Sequence, residues 1–210
     1  MTDFSEYKKI KEEIGENVSL MAVSKTKTTQ DILPFLQEGH RLFGENRVEE
    51  AIEKWTFLKA EYPDTELHLI GHLQRNKIKE ALTVFDSIDT LDNYDLADKI
   101  AARLSEQPEN IKFMIEVNTG DEEQKSGIAT KQADDFIDYC INNLKLNVTG
   151  LMCIPPKDEE PSPHFAFLGE IAKRHNLKEL SMGMSADYML AVQQGATMVR
   201  IGTLLFKRDL

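Results

Sequence analysis

Lys25 stands where an apolar run stops. Val18-Ser19-Leu20-Met21-Ala22-Val23 reads as a buried strand, and Ser24-Lys25-Thr26-Lys27 follows it directly. Side chains alternate along a strand, so Met21, Val23 and Lys25 share one face. With that face turned inward, the amine sits at the carboxyl end of a sheet, where ligands bind. Partial burial beside other cations would favour the neutral amine, the form that attacks a carbonyl. The alternative is a solvated lysine on a strand-to-helix loop, and Lys27 fits that description better.

Two stretches near the other end of the chain carry a different chemistry. "SMGMSADY" (181–188) and "VRIGTLLF" (199–206) each end a strand with glycine and hydroxyl residues. Gly183 and Gly202 permit close backbone approach. Ser185 and Thr203 offer hydroxyls. Ser185 is expected at a helix N-terminus, where free amides and the helix dipole favour an anion such as a phosphate. The plainer reading is a capping serine with packing glycines. In "MVRIGT", Met198, Arg200 and Gly202 share one face. An arginine inside an apolar strand is rarely left unpaired. Arg200 therefore meets either a carboxylate in the protein floor or an acceptor on a bound ligand.

Weaker candidates lie between. "FGENR" (43–47) ends a strand at Asn46, which suits a ligand contact or a cap on the next helix. "HLIGHLQRNK" (68–77) places His72, Asn76 and Lys77 near a strand end; His68 and His72 straddle that end and a glycine, so a metal pair is disfavoured. "VNTGDEEQKSGI" (117–128) is a polar loop, either a lid or a solvated connection. Met152 in "GLMCIPP" is expected inward, as core or ligand wall.

These residues need elements to position them. Runs over 18–25, 42–46, 66–71, 86–91, 111–118, 147–154, 179–184 and 198–206 read as strands. Several are almost continuously apolar, as "IKFMIEV" is, which suits parallel strands covered on both faces. Helical spacing fills the intervals. Val48, Ala51, Ile52, Trp55 and Leu58 lie on one helical face, as do Phe136, Ile137, Cys140, Ile141 and Leu144. Thr28 with Asp31 resembles a capping box, Ser162-Pro163 reads as an N-cap and first-turn proline, and Gly195 as a helix stop. The pattern predicts one domain over 1–210: a (β/α)8 barrel in which the N-terminal helix covers the place of a missing eighth helix. The rival, an open doubly wound sheet, would want a glycine-rich loop after the first strand, and "SKTKTTQD" has no glycine.

Composition narrows the class of function. The chain has 210 residues, 41% hydrophobic and 29% charged, with a formal net charge of −11. That balance speaks against a general nucleic-acid binder but not against an anionic small molecule met by a local cluster. Cys140 and Cys153 form no CxxC pair, which suits a reduced, cytoplasmic chain without zinc. The N-terminus is charged and has no apolar signal core, and no apolar stretch approaches membrane-span length.

"AVSKTK", "FGEN", "HLIGHLQRNK", "KSGI", "GLMCIPP", "SMGMSADY" and "MVRIGT" together, in that order, resemble the pyridoxal 5′-phosphate homeostasis proteins (the YggS/PROSC family), from about residue 18 to 206. Departures are small: Thr28 stands where many members have proline, and the segment between the sixth and seventh strands is short. The resemblance implies a single barrel like the N-terminal domain of alanine racemase. It implies pyridoxal 5′-phosphate (PLP) held as an aldimine on Lys25. It places the phosphate on Ser185, Gly202 and Thr203 with backbone near Gly183 and Met184, Arg200 facing the pyridine nitrogen, and Asn46 beside the ring. It implies a PLP carrier and buffer acting in vitamin B6 and amino-acid balance, a monomer with PLP-dependent apo-enzymes as recipients. The alternatives are a PLP-dependent racemase and a Schiff-base lyase acting on a sugar phosphate. The chain ends at Leu210, so the second domain that supplies a racemase its opposite-face tyrosine is not expected here, and little or no racemase turnover follows.

Overall fold

Residues 4–107 and 109–206 are described by a computed structural model of the chain. Eight parallel strands form a closed ring: β1 (Ser19–Val23), β2 (Leu42–Glu45), β3 (Glu66–Leu69), β4 (Ser87–Leu91), β5 (Lys112–Asn118), β7 (Val148–Met152), β8 (Glu179–Ser181) and β9 (Met198–Ile201). β9 pairs with β1, placing Arg200 opposite Met21, and β4 pairs with β5. Closure rules out the open doubly wound sheet. Every predicted run contains one of these strands. A ninth strand, β6 (Ile128–Ala129), pairs only with the carboxyl end of β5. It was not foreseen, because a two-residue strand after a polar loop leaves no apolar run to read.

The helices are α1 (Ser5–Ile14), α2 (Thr29–Gln37), α3 (Val48–Glu61), α4 (Ile78–Val84), α5 (Tyr94–Glu106), α6 (Ala133–Asp138), α7 (Pro161–Arg174) and α8 (Tyr188–Gln193). The capping box of α2 is present in both directions, Thr28 Oγ1 accepting from the Asp31 amide and Asp31 from the Thr28 amide. α7 starts earlier than expected. Glu160, not Ser162, is its N-cap, because the Glu160 carboxylate accepts from both the amide and the hydroxyl of Ser162. The single helical face expected from Phe136 to Leu144 is divided between α6 and a π turn, Tyr139–Asn143. No helix among the described residues is long and apolar enough to cross a membrane.

α1 fills the gap where an eighth crossover helix would lie. It buries Tyr7, Ile10 and Ile14. On one side Phe4 and Tyr7 pack edge-on against Phe35 of α2; on the other, the Tyr188 hydroxyl of α8 donates to Glu13.

Two apolar clusters hold the fold. The larger lies between strands and helices. The smaller fills the barrel itself with Met21, Met114, Met152 and Met198, backed by Leu42 and Ile70. Methionine is unbranched and adaptable, which suits an irregular barrel interior. Gly44 makes room for it: a Cβ there would lie 2.6 Å from Met21 Sδ.

Beneath the methionines the floor is polar. His68 is almost wholly buried between two carboxylates, with Nδ1 2.9 Å from Asp89 Oδ2 and Nε2 3.2 Å from Glu66 Oε1. Ser87 donates to Asp89 Oδ1 at 2.6 Å, and Lys112 pairs with Glu66 at 2.8 Å. Burial alone would push the imidazolium's pKa down; the Asp89 charge and hydrogen bond, with those of Glu66, outweigh it and hold it at about 10. Its contribution to stability is therefore full below the ordinary histidine pKa of about 6.5 and fades as pH rises through the folded value. Thermal melts of wild type and His68→Gln should converge between pH 7 and 10.5. Parallel profiles would show that His68 is neutral in the floor.

Candidate functional site at the barrel mouth

Six of the eight strands end short of the predicted runs, while β4 and β5 end where expected, and the residues beyond the strands form the mouth. A cavity of about 850 Å³ opens there. Lys25, Asn46, Met184, Ser185, Arg200, Gly202 and Thr203 all line it, with Val23, Ile70, Ile154 and Phe206 among its apolar walls. Gly183 is not at its surface. It directly precedes Met184 with φ of 88°, and a Cβ there would lie 2.5 Å from that of Ala191. Its part is to let the loop turn.

Lys25 is exposed, which corrects the expected partial burial: β1 ends at Val23 and carries the side chain past the last layer of the barrel. Its amine has no hydrogen bond or ion pair among the described residues. Across the mouth, the two glycine-hydroxyl loops present polar groups. Neither the hydroxyls nor the backbone amides of Ser185 and Thr203 make a hydrogen bond among the described residues. Gly202 approaches β1 closely, with a Cβ position only 3.3 Å from Val23. Two expectations change. Ser185 lies in a turn before α8 and not at its first residue, since Asp187 is the N-cap. The Met184 amide donates to Asp187 Oδ1 at 2.6 Å, so the loop holds itself through that carboxylate.

Arg200 is buried, with 4% exposure, yet meets no carboxylate within ion-pair distance among the described residues. Nη1 donates to Ser181 Oγ and Nη2 to the Cys153 carbonyl, both at 2.9 Å. A guanidinium has five N–H donors, so donors are left over at the cavity wall. Glu116, inside the barrel, is pushed up to about 7, first by burial and then by Asp92, against the pull of Arg200. Asn46 does not cap α3, whose N-cap is Arg47; its Oδ1 is buried and has no partner among the described residues.

The remaining candidates, Lys27 excepted, stand apart from this group. His72 and Asn76 are exposed, and Lys77 pairs with Glu49 at 2.8 Å. Lys27 lines the cavity but donates to the Phe206 carbonyl at 3.3 Å. The 118–127 loop is bonded within itself and to its neighbours, Asn118 to Glu122, Lys125 to Glu122 and the Gly127 amide to Asp92. Met152 is core, as expected.

Sequence reading missed the groups that aim these side chains. Ser181 and Cys153 look like strand residues in an apolar run. Glu45 and Lys54 form a buried ion pair beside Lys25, at 2.6 Å. A glutamate in the strand "LFGE" was the available signal.

The family described as "Alanine racemase, N-terminal domain" matches residues 5–209. A pyridoxal phosphate homeostasis protein of Aquifex aeolicus is 40% identical over 202 residues, covering 91% of this chain and 88% of that one. The chain belongs to the pyridoxal phosphate homeostasis protein family. PipY of Synechococcus elongatus, solved with PLP bound, superposes with a TM-score of 0.87 at 32% identity, covering 96% of this chain and 98% of that one. An alanine racemase of Clostridium difficile shares the fold, with a TM-score of 0.78 at 15% identity, and the match spans 97% of this chain but 56% of the racemase. The family's fold is thus the (β/α)8 barrel that the strand periodicity predicts.

Proposed function

We propose that this chain binds PLP with Lys25 as covalent anchor and acts as a carrier and buffer of that cofactor in vitamin B6 and amino-acid balance. The observation that carries the reading is an amine facing, across one cavity, two loops, where neither the amine nor the hydroxyls and amides of Ser185 and Thr203 make a hydrogen bond among the described residues. The relatives' shared name and the PLP-bound PipY support it. The residues suit the group: an amine for an aldehyde, uncommitted donors for a dianion, and the orphaned Asn46 oxygen for a polar ring substituent. Bound there, PLP supplies an aldehyde that condenses with an amine to a C=N bond, releasing water.

Each side chain then has a part. Ser185 and Thr203, with the Gly202 backbone, hold the phosphate; Met184 and Gly183 shape the turn that brings Ser185 to it. Arg200 is assigned to the pyridine nitrogen and Asn46 to the ring edge. A cation at that nitrogen disfavours its protonation and weakens the ring as an electron sink, which suits retention over amino-acid chemistry. The reading makes the protein one domain over 1–210, a cytoplasmic monomer that hands PLP to apo-enzymes.

Racemisation needs an acid/base group on each side of the substrate. No tyrosine of the described residues lines the Lys25 cavity. The Tyr7 hydroxyl lies at His40, that of Tyr139 donates to Asp98 and that of Tyr188 to Glu13. Two measurements test the reading. Holo-protein mixed with a PLP-dependent apo-enzyme should restore that enzyme's activity while losing its own visible absorbance. Holo-protein in D₂O should exchange the Cα hydrogen of alanine far below ordinary enzyme rates of roughly 1 per second. Exchange at such rates, absent in Lys25→Ala, would replace the carrier with a racemase; a purified protein that takes up no PLP would leave the sugar-phosphate lyase.

A further inference from the structure

Both neighbours of Lys25 are tied to α3, while the Lys25 side chain makes no hydrogen bond or ion pair among the described residues. Ser24 is fully buried; its hydroxyl donates to Glu45 Oε1 at 2.6 Å and its carbonyl accepts from Lys54 Nζ at 2.9 Å. The Thr26 amide donates to Glu50 Oε1. Lys54 closes the circuit, pairing with Glu45 at 2.6 Å and Glu50 at 2.9 Å, and Trp55 Nε1 adds a third donor to Glu45. The Lys54 and Glu45 side chains are 7% and 0% exposed. None of these α3 or β2 side chains lines the cavity.

A buried ion pair is a poor way to gain stability, because desolvation offsets much of the attraction. Here it also holds an unfavourable backbone. Thr26 has φ of 61°, a left-handed conformation that a β-branched residue resists. The Thr26 amide meets Glu50 only in this bend, and the bend directs the chain away from β1 directly after Lys25. The Lys25 Cα is therefore fixed between two anchored peptide units, although its side chain makes no bond among the described residues.

We infer that Lys54, with Glu50 and Glu45, is a positioning residue that holds the Ser24–Thr26 backbone so that the Lys25 amine reaches an aldehyde whose phosphate is bound across the mouth. This rests on Lys25 being the PLP anchor. In that step the amine lone pair attacks the aldehyde carbon, a C=N bond forms, and the carbonyl oxygen leaves as water with the two amine hydrogens. Holding both reactants at a fixed separation is what accelerates such a step. Ring and phosphate binding, made by other loops, does not need it.

The test separates those two terms. Pyridoxine 5′-phosphate keeps the ring and phosphate but has an alcohol where PLP has its aldehyde. In Lys54→Met and in Glu50→Ala, its affinity should stay within about twofold of wild type, while the rate of borohydride-trappable adduct formation at Lys25 falls about tenfold or more. In the ligand-free protein, the Thr26 amide should exchange with D₂O faster in both variants. Lys54→Met strands the buried Glu45 charge and can fail to fold; Glu50→Ala leaves the Glu45–Lys54 pair intact and then decides alone. Losing analogue affinity and adduct rate in equal measure would make the network merely structural, and no change in either would also overturn the inference. A wild-type protein that traps PLP on another lysine would instead overturn the anchor assignment beneath it, whatever the variants do.

Discussion

Lys25→Ala is expected to carry no cofactor mass after borohydride reduction in the presence of PLP, and to lack the visible absorbance of the wild-type holo-protein. The expectation is total loss because, among the described residues, Lys25 is the one amine lining the cavity that makes no hydrogen bond or ion pair. Lys27, the nearest in sequence, is held at the Phe206 carbonyl at 3.3 Å and lies 5.8 Å over the Phe206 ring. Lys54 is locked between two carboxylates, and Lys77 is paired with Glu49. The loss should come without unfolding. The Lys25 side chain is exposed and makes no bond among the described residues, so its truncation belongs with surface substitutions, within about 0.5 kcal/mol. A melt unchanged within a few degrees, beside complete loss of trapped mass, separates an anchor from a structural residue. Peptide mapping that finds the reduced adduct on Lys27 would move the anchor two residues along the chain.

The strands were legible because they are buried on both faces. "IKFMIEV" has no polar face to hide, and its continuous apolar run is what a parallel barrel strand must show. Alternation grouped Met21 with Lys25 and Met198 with Arg200 but left open which face points inward; the barrel turns both faces inward and brings Lys25 and Arg200 to one cavity. What alternation does not carry is how far a strand runs. β1 stops at Val23, so Lys25 is exposed where the longer run had it partly buried. Local hydrogen bonding also escapes. Ser185 looks like a cap, yet Asp187 two residues on takes that place and ties down the Met184 amide. Glu160 displaces Ser162 in the same way. In each case an acidic residue, not the serine, stands at the position before the helix, and which residue takes that place depends on backbone angles that the sequence does not show. The glutamate in "LFGE" signals a buried charge, but its pairing with Lys54 is not legible, for a different reason. Its partners come from a strand and a helix, and only the crossover brings them beneath Ser24.

Pyridoxal, which lacks the phosphate, should bind roughly 100-fold or more weakly than PLP. Each charge-assisted hydrogen bond to a dianion is worth about 1.5–3 kcal/mol, and about 1.4 kcal/mol is a factor of ten. Two such bonds already exceed the stated ratio, and the Ser185 and Thr203 hydroxyls and amides offer up to four. The same redundancy limits what one substitution can do. Ser185→Ala removes a hydroxyl but leaves its own amide and the whole Thr203 loop, so its cost should be about 1–3 kcal/mol, well short of deleting the phosphate. The two results constrain each other. If Ser185→Ala weakened PLP as much as the missing phosphate does, one hydroxyl would be carrying the whole interaction and the second loop would be a bystander. If pyridoxal and PLP bound equally well to Lys25, the loops after β8 and β9 would hold no phosphate at all, and their unpaired donors would need another ligand. Equilibrium titration of both aldehydes against wild type and Ser185→Ala, at one pH and one ionic strength, distinguishes the three cases, because only a shared two-loop cradle makes pyridoxal much worse than PLP while leaving the serine variant in between.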